Sequence, residues 1–338
     1  MPVRRSLFRR SLPALVGITV SVALLAWALR DVSLADVLRH TKSADAGPLA
    51  IAVVLATITF PLRLVRWRLL LRDENGQPYR AVPLWHAIAL GFMANNLLPL
   101  RAGELVRSYT AARLAPARFT TVISSVAVER IFDGLTVVAL LTLALLSSDL
   151  PSSVAVGGTS IAQLARVAGI AGLIALMGAI AVVAAPLTAE RVVRRVLPTH
   201  LADRIVDLIE GVRQGLTVLR SPSRLLRVVF WSLVLWLVNA LAFYVGFSAF
   251  DIPVSYTGAL LLQGLLVLGI SIPSTPGFFG PFEAVIVAVL ALYGVSGSLA
   301  FSYAISFHVT TFVPITLLGL WSMARTPEGL RAFRRSSA

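Results

Sequence analysis

At 338 residues, 57 % hydrophobic and with a mean hydropathy of +0.84, the chain is too apolar for a soluble globular fold. It has no cysteine, which excludes disulfides, thiol catalysis and cysteine-held metal. The net charge of +14 includes only one lysine, Lys42, and in so apolar a chain it reads as membrane orientation and contact with anionic lipid, not as a nucleic-acid surface.

The first apolar run, 11–29, follows Arg4, Arg5, Arg9 and Arg10. It reads as an uncleaved anchor, because it is longer than a signal core and no small-residue cleavage site precedes Arg30. A second run, 46–62, ends in Arg63, Arg66, Arg68 and Arg72, a group that sidedness alone explains, with Trp67 suited to the interface. The third, 81–100, is charge-free but carries Asn95, Asn96 and Pro99, and is expected to enter the membrane without crossing it. The fourth, 119–148, is interrupted near its start by Glu129, Arg130 and Asp133. Runs 167–189 and 228–250 are clean spans, and 252–282, 284–296 and 299–323 complete the set. Between 187 and 227, Leu201, Ile205, Leu208, Ile209, Val212, Leu216 and Leu219 form one stripe, the mark of a cytoplasmic interfacial helix.

Placing the N-terminus, 63–118, 187–227 and the C-terminus in the cytoplasm gathers nearly all the basic residues on one side. That arrangement makes 81–118 enter and leave on the same face, as a re-entrant pair does. The expectation is an all-α, polytopic helical bundle forming a single integral membrane domain over 1–338, in a bacterial-type cell membrane, with both termini cytoplasmic.

Three polar constellations interrupt the apolar background. In NNLLPLRAGELVRSY, residues 95–109, Pro99 and Gly103 break a helix, and Arg101, Glu104 and Arg107 follow at spacings of three on one face. Two arginines there suit a lipid phosphate, with Glu104 orienting one of them; a cytoplasmic salt bridge is the plainer alternative. In SVAVERIFDGL, residues 125–135, Glu129, Arg130 and Asp133 can neutralise one another, as an architectural lock or along a substrate path. In IPSTPGFFGPFEA, residues 272–284, three prolines and two glycines precede Glu283, the one carboxylate between Asp251 and Arg325. Ser274 or Thr275 reads as the N-cap, and Pro276 as the first residue, of a half-helix whose amide-rich end draws anions. Gly277, Gly280 and Glu283 would then stand at the site, with Glu283 either satisfied by local amides or facing a cavity. The first and third constellations echo one another, as two re-entrant elements meeting tip to tip near the midplane would. His40, His86, His200 and His308 are scattered without metal-ligand spacing, and no nucleotide-binding P-loop or other cofactor pattern occurs.

With RLVRWRLLL at 63–71, these three stretches resemble, in order and spacing, the transmembrane region of the lysylphosphatidylglycerol synthase/flippase family, which includes the membrane half of the multiple peptide resistance factor. The resemblance implies about eight helical segments with re-entrant elements and a role in moving lipids between leaflets. It does not imply lysyl-lipid synthesis, which belongs to a soluble domain that follows the membrane part in full-length relatives. Phe278, Phe279 and Pro281 stand where relatives tend to have smaller residues.

The leading functional expectation is a flippase or transporter of a phospholipid or lipid-linked substrate, with Asn95, Asn96, Arg101, Glu104, Arg107, Glu129, Arg130, Asp133, Thr275, Gly277, Gly280 and Glu283 around its head-group. The alternatives are a membrane-embedded transferase acting on lipid-linked phosphate, with Glu104 or Glu283 as base, and an accessory subunit of a separately encoded transferase. A homo-oligomer is compatible with all three.

Overall fold

The computed structural model describes residues 17–30, 32–73, 75–98, 102–147, 221–271 and 275–326, with isolated positions between 155 and 206. The expected span 167–189 and the interfacial helix of 187–227 lie for the most part outside the described residues, as does Arg101.

The described chain is helical, apart from a two-residue antiparallel pairing of Ala155–Val156 with Thr159–Ser160. Helix α1 (Gly17–Leu29) is followed, at 83°, by α2 (Leu34–Ser43). Four helices are long and apolar enough to cross a membrane: α3 (Ala46–Leu70), α6 (Phe119–Ser147), α7 (Pro222–Ser248) and α10 (Gly297–Arg325). Each is a run in which apolar side chains on every face favour lipid or protein over water, and backbone polar groups are satisfied within the helix. Local signals fix several starts. Asp45 accepts from the Gly47 N–H at 2.8 Å, Ser296 from the Leu299 N–H at 3.4 Å, and Pro222 occupies the first turn of α7.

Between the long helices lie two pairs of short ones. Helices α4 (Ala81–Leu97) and α5 (Gly103–Leu114) pack on each other, and α4 also packs on α10. Helices α8 (Tyr256–Gly269) and α9 (Pro281–Leu292) flank an irregular stretch; α8 packs against α6 and α9 against α10. Helix α3 runs along α7, and the largest apolar cluster is built from α6, α7, α8, α9 and α10, with smaller clusters around α3, α4 and α5 and around α1.

Two boundaries differ from the sequence expectation. Helix α3 does not end at the basic cluster but continues to Leu70, carrying Arg63 and Arg66 into the interior. The half-helix expected to begin at Pro276 begins at Pro281. Pro276–Phe278 forms only one 3₁₀ turn, because Gly277, Phe278 and Gly280 take φ of 70°, 63° and 98° and so cannot continue a right-handed helix. Glu283 then reaches back to accept from the Gly280 N–H at 2.6 Å, and that bond fixes the start.

The arginines Arg68, Arg72, Arg224 and Arg227 gather at one end of α3 and α7. Burial, and then repulsion from Arg224, Arg227 and Arg68, lower the Arg72 pKa from its ordinary value.

Candidate functional site

Glu129 and Asp133, four residues apart on α6, share one face of that helix, and arginines from three helices converge on them. Arg107 of α5 grips Glu129 with a two-pronged fork, Nη1 to Oε1 at 3.0 Å and Nη2 to Oε2 at 2.8 Å. Arg66 of α3 places Nη1 2.5 Å from Asp133 Oδ1 and Nη2 3.2 Å from Glu129 Oε1, and donates to Ser232 Oγ of α7 at 3.1 Å. Arg130 closes the group, 2.8 Å from Glu129 and 3.1 Å from Asp133. Trp236 Nε1 donates to Asp133 at 2.9 Å, and the Arg107 guanidinium sits 3.8 Å from the centre of the Trp67 ring. The side chains of Arg66 and Glu129 are 0 % exposed, so each charge is balanced by opposite charge and hydrogen bonds instead of by water.

Arg107 and Arg130 also line a cavity of about 200 Å³. Its wall is where the two backbone breaks come together. The end of α4 supplies Asn95 and Asn96, and the start of α5 supplies Gly103 and Glu104; from the other break come Ile270, Ser271 and Phe278. Asn95 Oδ1 accepts from the Gly103 N–H at 2.9 Å, so it stitches α4 to the first turn of α5. Asn96 donates to Thr316 Oγ1 at 3.0 Å. A Cβ on Gly277 would lie 3.3 Å from the Asn96 carbonyl oxygen, which shows how closely the two tips approach.

Arg63, one turn before Arg66 on α3, lines the same cavity. It is 7 % exposed and forms no ion pair among the described residues. Its guanidinium lies 5.0 Å from the Phe92 ring centre and 5.9 Å from that of Trp236.

Five of the expected site residues therefore border the cavity: Asn95, Asn96, Glu104, Arg107 and Arg130. Glu129 and Asp133 stand behind the wall and hold its arginines. Glu104 does not orient Arg107, since that side chain points across to α6 and is held by Glu129; Glu104 lies instead within electrostatic reach of Arg130. Thr275, Gly277, Gly280 and Glu283 shape the second break. Thr275 N–H donates to Ser21 Oγ of α1 at 2.9 Å, and its hydroxyl donates to the Phe279 carbonyl at 2.9 Å. Glu283 is 0 % exposed and turned from the cavity, bonded to Gly280 on one oxygen and to His308 Nδ1 at 2.6 Å on the other. His308 stacks on Phe279 and Phe282.

Arg63, Arg66 and Trp236 were not expected at the site. Arg63, Arg66 and Trp67 are spaced by three and four, a single helical face, and that periodicity was the signal for an inward-facing cluster. Glu283→Ala removes the partner of both the Gly280 N–H and His308. It is expected to cost about 2 kcal/mol, read as a lower unfolding midpoint of the purified protein, with Glu283→Gln losing less because it keeps an acceptor.

Residues 14–319 match the family described as the lysylphosphatidylglycerol synthase transmembrane region. The chain belongs to that family. Among its relatives is glycosyltransferase AglD of Haloferax volcanii, 26 % identical over 96 % of this chain but only 56 % of its own length, so this chain spans little more than half of that protein. Two UPF0104 membrane proteins of Methanothermobacter thermautotrophicus are 25 % and 22 % identical over 90 % and 84 % of this chain and 90 % and 85 % of their own. Membership in the transmembrane-region family and the four long apolar helices together make this a multi-pass membrane protein.

Proposed function

We propose that the chain moves a lipid with a phosphate-bearing head-group between leaflets, the head-group passing through the cavity between the two breaks while its hydrocarbon chains remain in the bilayer. The observation that carries this reading is the cavity itself. A pocket lined by arginines and asparagines, set among helices of membrane-spanning length, is what an anionic head-group needs in order to leave water. In this reading the α4–α5 and α8–α9 pairs are re-entrant elements whose tips meet within the bilayer. Asn95, Asn96, Glu104, Arg107 and Arg130, with Arg101, form the head-group site, and Glu129 and Asp133 hold the arginines in place. The gathered arginines at the Arg72 end suit a cytoplasmic face, with both termini on that side of the cell membrane.

A second reading is favoured by the relative named a glycosyltransferase, which is longer than the region matched here. In that reading the chain serves a separately encoded transferase as its membrane partner.

Leaflet exchange of fluorescent phospholipids in liposomes containing the purified protein separates the two. Ser271→Trp places a large ring in the cavity and is expected to bring exchange down to the protein-free rate while leaving the fold intact. Exchange that persists unchanged in this variant counts against passage through the cavity. Absence of exchange by the wild type across a broad lipid panel favours the accessory role.

A further inference from the structure

The charged cluster divides its arginines into two kinds. Arg66 and Arg107 are ion-paired to Asp133 and Glu129, and Arg130 shares the same two carboxylates. Their charge is already answered, so an incoming anion would have to compete with a carboxylate for each of them. Arg63 is different. It is more than nine-tenths buried, it borders the cavity, and no carboxylate pairs with it among the described residues. Asp133 and Glu129 act on it only from a distance, and a buried guanidinium with no anion in direct contact is costly unless something supplies one.

We propose that Arg63 is the residue that takes hold of the phosphate of the head-group, while Arg66 and Arg107 stay paired to their carboxylates. This rests on the lipid reading above. The neighbouring rings suit such a role. Phe92 and Trp236 bear on the guanidinium by cation–π contact and limit its rotation. They leave the N–H donors at its edge for two phosphate oxygens, a planar, two-pronged match that lysine cannot make. Asn95, on the same cavity wall and bonded to the Gly103 N–H through its oxygen, adds amide donors for the remaining oxygens or for the polar group beyond the phosphate. An occupied site would have its phosphate charge cancelled by Arg63, and this pairing lowers the barrier to taking that charge into the bilayer.

The test titrates the full chain, purified in detergent, with dihexanoyl phosphatidylglycerol, with dihexanoylglycerol, which lacks the phosphate, and with inorganic phosphate, binding being read by calorimetry. The wild type is expected to bind the phosphatidyl lipid more tightly than either of the others. Arg63→Gln is expected to weaken that binding about ten- to hundredfold, the loss of charge-assisted hydrogen bonds, without changing the affinity for dihexanoylglycerol. Arg63→Lys should fall between the two, and if Arg63→Gln does not fold, a lysine variant that binds the phosphatidyl lipid as the wild type does overturns the proposal. Unchanged phosphatidyl affinity in Arg63→Gln, or an equal loss for both lipids, also overturns it. Arg63-dependent binding of inorganic phosphate as tight as that of the lipid assigns the site to free phosphate and overturns the lipid source. The liposome assay keeps the two readings apart. Exchange retained in Arg63→Gln removes the phosphate site but leaves transport standing, whereas Arg63-dependent binding by a wild type that exchanges no lipid removes transport but leaves the site.

Discussion

Glu129→Gln is expected to leave little folded protein. The carboxylate is fully buried and answers three guanidinium groups at once, from α3, α5 and its own helix. The amide keeps the shape and one acceptor oxygen but removes the charge, and in place of the second oxygen it presents an N–H₂ group to arginine donors. Arg66 keeps Asp133, but Arg107 is left with no carboxylate at hydrogen-bonding distance among the described residues. Breaking one partner of a buried pair in this way costs about 3–5 kcal/mol, a large share of the stability of an ordinary domain. The measurement is the yield of monodisperse protein after detergent extraction, together with its unfolding midpoint. A partial cure tests the cause. Arg107→Gln combined with Glu129→Gln removes the orphaned charge and should recover part of the loss, giving a coupling term of opposite sign to the single losses. If the double variant is as unstable as the sum of the two, the charge account is wrong and packing is the cause.

Gly103→Ala should come next in severity, although it adds only a methyl group. A Cβ at this position would stand 2.1 Å from the Gly91 carbonyl oxygen and 2.4 Å from Asn95 Oδ1. The nearest obstacle is backbone, which cannot swing aside, so α5 has to withdraw from α4. The same site carries the hydrogen bond from the Gly103 N–H to Asn95, and withdrawal breaks it. We expect a loss of about 3 kcal/mol, at the upper end for overpacking, and, because the cavity wall is made from this junction, loss of lipid exchange even in the fraction that folds. Thermal unfolding and the liposome assay, run on the same preparation, read both effects. A variant that retains wild-type stability would show that the helices are free to part here.

The long helices were legible because length and apolarity alone define them. Nothing charged interrupts the middle of 119–148 beyond Asp133, or any of 228–250 and 299–323, and the observed α6, α7 and α10 follow these runs closely. The arginine cluster on α3 was harder to place. Flanking charge after an apolar run is the ordinary mark of a membrane edge, and what reverses that reading for Arg66 is a carboxylate pair more than sixty residues on, which no local pattern contains. Glu283 shows the opposite case. Its isolation in the sequence drew attention to it, but its partner His308 comes 25 residues later, and the pair closes on itself inside the protein. The start of α9 was ambiguous for a different reason. Pro276 and Pro281 are equally good first residues of a helix, and only the left-handed backbone at Gly277, Phe278 and Gly280 decides between them.

The way Glu129 and Asp133 tie their neighbours together also limits how the molecule can open. Helices α3, α5, α6 and α7 are fastened to one another through these two carboxylates, and relative sliding by even a few ångströms would part ion pairs that have no water to replace them. They form one stiff block. Across the cavity the second break is held by apolar contact and by hydrogen bonds such as those linking Thr275 to Ser21, which are cheaper to part. In the proposed lipid reading, the doorway for a head-group therefore belongs at the second break, around Thr275, and moves against a fixed frame.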